Sequence, residues 1–147
     1  MNTHSYLRAY MAGISVPTPL LLVALFLFSI ARFVYNVPVP VERVIIFPMA
    51  IVPNLFGVWN VLHVASRSRL PLGIHGAILP FILAPLGFFL GRSLGFLKTT
   101  SYGFSYFDAV EIHYVHVALV FPAVLIVYYL VWKYLIGFFN QVAGITE

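Results

Sequence analysis

Four stretches without a formal charge constrain this chain more than any other feature. They are Ala9–Ala31, Val44–Ser66, Leu70–Gly91 and Ile112–Trp132, bounded by arginine, lysine or glutamate. A helix needs about 20 mostly apolar residues to cross a hydrocarbon core, so each stretch is long enough to span once and too short to span twice. The expected fold is an all-α integral membrane protein. It is a single four-transmembrane-helix bundle over residues 1–147, with helices at 18–35, 44–65, 72–96 and 108–138. Four crossings put both termini on the same side.

Composition supports lipid as the main solvent. The chain is 62% hydrophobic and 8% charged, against about 25% charged residues in a soluble domain. No cysteine is present, which excludes disulfide scaffolds and thiolate metal sites. The net charge of +4 comes from eight scattered basic residues. Without a concentrated basic field, a nucleic-acid partner is not expected. The expected partners are the lipid bilayer and a protein partner, or a second copy, held through the third helix.

The first helix is centred on LLLVALFLFSIARF, with Arg32 placed to reach the headgroups. Arg8, the apolar run and Ser29-Ile30-Ala31 resemble a signal peptide, but the segment reads as a retained first helix. The link Asn36–Val41, NVPVPV, is held extended by alternating proline. The second helix carries Pro48 and Pro53, with Asn54 and Asn60 inside the apolar span. An amide facing lipid is costly, so both asparagines are expected to face other helices. The pair Pro80 and Pro85 in the third helix repeats the Pro48/Pro53 spacing, a coincidence that four prolines produce readily. The connection Leu97–Phe107 reads as an aromatic interfacial loop. The fourth helix reads from Phe107 toward Phe139 and ends in a belt of Tyr128, Tyr129, Trp132 and Tyr134. The expected location is the bacterial inner (plasma) membrane, with the compact Arg67/Arg69 loop favouring cytoplasmic termini.

Three groups of residues are candidates for function. Gly87, Gly91 and Gly95 form a doubled G-x-x-x-G, a flat helix face that admits a close neighbour. Asp108, His113 and His116, with Glu111 nearby, supply metal-type ligands. On a helix Asp108 and His116 fall about 80° apart, and Glu111 points away from His113. His63 and His75 flank the Arg67/Arg69 loop, as two axial ligands and two propionate partners of a b-type haem would. Gly73 and Gly76 would make room for the flat ring.

The chain lacks a nucleophile motif, a phosphate loop and a midplane charge. The leading expectation is therefore a non-catalytic subunit or assembly partner of a membrane complex. A haem- or metal-binding redox protein is the first alternative. A small transporter or channel lined by Asn54 and Asn60 is the second.

Overall fold

The computed structural model describes residues 3–37, 42–66, 69–106 and 110–145. In chain order it contains α1 (Thr3–Ile14), α2 (Pro17–Phe33), a π-helical turn (Glu42–Ile46) running into α3 (Phe47–Ala65), and α4 (Leu72–Ser93). Three short strands follow: β1 (Leu97–Thr99), β2 (Gly103–Tyr106) and β3 (Val110–His113). The chain then forms α5 (Tyr114–Leu130), a second π-helical stretch (Val131–Ile136) and α6 (Gly137–Val142). Among the described residues four helical stretches are long and apolar enough to cross a membrane: His4–Phe33, Phe47–Ala65, Leu72–Ser93 and Tyr114–Val142. Four such stretches were expected. The chain divides into two compact units, one of Met1–Leu70 with Tyr134–Glu147, the other of Pro71–Lys133.

The first unit is built on α1 against α3. In α1 the buried residues Ala9, Ala12 and Gly13 recur at helical spacing, and in α3 Pro53, Phe56, Gly57, Asn60 and His63 do the same. The two stripes meet through glycine. A Cβ built on Gly13 would lie 2.7 Å from the Gly57 Cα, and one built on Gly57 would lie 2.6 Å from the Tyr10 ring. Such contact between backbones is what small residues permit in a medium that supplies no hydrophobic drive. The sequence reading began the first helix near Thr18 and missed α1. Pro17 and Pro19 explain the break, because neither can donate to the preceding turn. The hydroxyls of Ser15 and Thr18 instead donate to the Met11 and Ile14 carbonyls, both at 2.7 Å. Past α2, Arg32 Nη1 donates to both oxygens of Glu42, at 2.7 and 2.9 Å, which ties the end of α2 to the π turn that opens α3.

The second unit packs α4 with α5 and carries the one departure from an all-α fold. Leu97–Phe107 was expected as a loop and 108–138 as a helix, but β1, β2 and β3 form an antiparallel meander in that order. The helix starts only at Tyr114. Aromatic and β-branched residues suit a pleated surface. Thr99, Phe104 and Ile112 align across the sheet in one row, as do Lys98, Ser105 and Glu111 in another. Phe104 meets Phe88 of α4 and Tyr114 of α5 edge-on, at 5.6 and 5.0 Å between ring centres. The sheet is thus anchored to both helices by one side chain. Gly103 lets β3 approach, since a Cβ there would lie 2.1 Å from the Ile112 carbonyl oxygen.

The third helix also ends earlier than the expected residue 96. It stops at Ser93, and Gly95 takes a φ of +75°. The Gly95 N–H donates to the Arg92 carbonyl and the Phe96 N–H to the Gly91 carbonyl, both at 3.1 Å. That pair of bonds is a Schellman cap, and its left-handed residue is normally glycine.

Candidate functional site

The most completely built polar feature lies in the first unit, in the C-terminal half of α3. Asn60 is 0% exposed and Asn140 of α6 is 2% exposed. The Asn60 amide nitrogen donates to the Asn140 side-chain oxygen and to the Ala9 carbonyl of α1, both at 2.8 Å. Asn140 returns a bond to the Asn60 oxygen at 3.3 Å. Both amide protons and the acceptor of Asn60 are therefore used, and one side chain joins three helices. A satisfied amide is the only kind that apolar surroundings tolerate. Asn54, one and a half turns earlier, accepts from the Tyr10 hydroxyl and donates to the Ala50 carbonyl at 2.7 Å. Both asparagines face neighbouring helices, as expected. Their hydrogen-bonding capacity goes to protein groups, which is the behaviour of packing residues.

His63 and His75, the expected axial ligands, are each buried, at 7% and 8% exposure. His63 closes the buried stripe of α3 in the first unit. His75 lies in the first turns of α4 in the second unit, edge-on to Trp132 with ring centres 6.1 Å apart. Arg69 is exposed, and Arg67 lies outside the described residues. The room assigned to a flat cofactor beside Gly76 is filled by the chain's own indole. A Cβ on Gly76 would come within 1.9 Å of Trp132 Cγ, and one on Gly73 within 2.7 Å of the Tyr129 ring. The small residues at the start of α4 thus serve aromatic packing within the unit.

The glycine row separates into three roles. Gly95 belongs to the helix cap and not to the helix, so the expected face does not extend that far. Gly91 receives the returning chain, with Phe96 and Leu97 carbons 3.0 Å from its Cβ position. Gly87 lies within the helix and meets nothing within 4 Å among the described residues. A sequence repeat of four cannot distinguish a packing glycine from a capping one, because the left-handed conformation is visible only once the helix stops.

The described residues of the acid–histidine cluster are split between a strand and a helix. Asp108 lies outside the described residues. Glu111 and His113 belong to β3, and His116 to the first turn of α5. This overturns the helical geometry assigned to His113 relative to His116. A strand alternates with a period of 2, so Glu111 and His113 share a face, where helical spacing had set them apart. Both border a hollow of about 70 Å³ with Tyr102 and Gly103. His113 and His116 stand edge to face with ring centres 5.7 Å apart, and both are exposed. Among the described residues no three ligand-type side chains are gathered as a metal-binding set.

No protein-family model matches this chain, and no curated protein or solved structure matches it either. The sequence did not single out Asn140, Gly13 or Gly57, and it placed Trp132 in an interfacial belt where the structure buries it against Gly76. For Gly13 and Gly57 a signal existed in the small-residue spacing of Ala9, Ala12 and Gly13. Asn140 lies past the expected end of the fourth helix, and nothing local marks it as buried.

Proposed function

We propose that this chain is a small polytopic membrane protein acting as a non-catalytic subunit or assembly partner of a membrane complex. Its setting is a bacterial inner membrane, with a four-helix bundle and cytoplasmic termini. The supporting observation is how little of its apolar surface the chain covers by itself. No residue of α5 is buried, and α2 buries only Pro17. Within Tyr114–Val142 only 6% of the most apolar window is enclosed. A helix packed on one side normally hides a stripe about 100° wide. Beyond its contact with α4, α5 leaves apolar surface for lipid or a partner, and the Gly87 surface of α4 is open in the same way. Partners in lipid gain by close packing at such surfaces. The haem and transport readings gain no comparable observation.

Tryptophan scanning along α5 tests this reading. A helix covered by a partner should show intolerant positions recurring every 3.6 residues, read as loss of the native-membrane assembly by its mass in lipid nanodiscs. Uniform tolerance, together with a 16.5 kDa chain that remains monomeric in nanodiscs from native-level expression, would defeat it.

A further inference from the structure

We propose that His113 and His116 form a two-imidazole chelate for a borderline divalent cation of the zinc class, at the junction of β3 and α5. Two imidazoles sharing one tetrahedral ion, with metal–nitrogen bonds of about 2.1 Å, have ring centres roughly 5–6 Å apart. The observed separation is 5.7 Å. Both rings are exposed, so rotation about the side-chain bonds turns their nitrogens toward a common point without unpacking anything.

The backbone beneath them is held from two directions. His113 is the residue before α5, with extended φ and ψ of −68° and 147°. It pairs with Gly103 in the sheet. The next residue, Tyr114, donates its N–H to the Tyr102 carbonyl at 3.1 Å, and its ring packs on Phe104. The strand-to-helix turn that sets the two histidines side by side is therefore braced by the β1–β2 hairpin. Such bracing lowers the ordering cost of binding. Glu111 lies two residues before His113 on the same strand face, with Ser105 across from it in the register. With two protein ligands the remaining positions fall to water, so the site takes up exchangeable ion and does not form a closed structural centre.

Zinc titration of the full chain, purified in detergent without a histidine tag, tests this by competition with a chromophoric chelator. One equivalent should bind. His113→Ala and His116→Ala should each weaken binding at least tenfold, while His4→Ala, at another exposed histidine, leaves it unchanged. Helical circular dichroism in zinc-free buffer checks that the variants fold. Should either fail to fold, paramagnetic nickel added to the wild-type chain should broaden the His113 and His116 ring resonances before that of His4. Binding that is absent at millimolar zinc, or equally strong in both folded alanine variants, overturns the proposal. So does nickel broadening that favours His4.

Discussion

At the scale of single residues, the decisive quantity is the space beside each glycine and the fate of each buried amide. Gly76 and Gly87 lie on one helix and behave oppositely. Gly76→Ala forces a methyl into Trp132, and overpacking of this kind costs about 1–3 kcal/mol. A fall in the melting temperature of the detergent-solubilised protein is the expected reading. Gly87→Ala meets nothing within 4 Å and gains up to about 1 kcal/mol of helix propensity, so the isolated chain should melt at the same temperature or higher. If the proposed partner seats on Gly87, only the assembly weakens. The Asn60–Asn140 pair invites a double-mutant cycle with leucine at both sites. Each single change strands an amide, at about 1–3 kcal/mol, and the double change relieves part of that loss. The coupling expected for a hydrogen bond in lipid is about 0.6 kcal/mol, up to about 1.7. Strictly additive losses would show that the two amides act independently.

At the scale of elements, the sheet is the part that local reading failed to see. Leu97–Thr99, Gly103–Tyr106 and Val110–His113 are each three or four residues long, too short to carry a clear alternation. Their pairing rests on contacts with α4 and α5 that no window of sequence contains. The pH response of this element follows from Tyr106. Burial pushes its phenol above the ordinary value of 10.0, so the folded state holds the proton more tightly than the unfolded chain. The stabilisation is complete below pH 10 and is lost as pH rises through the folded value. Thermal melts between pH 9 and pH 12 should therefore fall less steeply for Tyr106→Phe than for the wild type. Equal slopes would mean that the phenol does not contribute. The cap of α4 makes a second element-scale statement. Gly95→Ala places a Cβ at φ +75°, which costs about 1–2 kcal/mol and should fray the last turn of α4 by hydrogen exchange.

At the scale of the whole molecule, the spans were legible and the packing was not. Because the chain has no cysteine, single-cysteine labelling reports the topology directly. Ser66→Cys and Ser101→Cys flank α4 and should react with impermeant maleimide from opposite sides of sealed vesicles. Labelling from one side would remove α4 as a span. The four helices apolar enough to cross a membrane follow from the sequence alone, because the cost of placing charge in hydrocarbon depends only on which residues are consecutive. Arg32, Arg43, Arg69 and Arg92 interrupt the apolar runs wherever the chain folds. The proline break before α2 is equally local, since a missing N–H depends only on which residue is present. What the tertiary structure decided is which residues meet. Asn60 finds Asn140 eighty residues away, Gly76 receives Trp132, and His113 comes to lie on a strand beside His116. These pairings depend on distant partners and on which glycine must turn left-handed to end a helix, and neither is encoded in the composition of a single stretch.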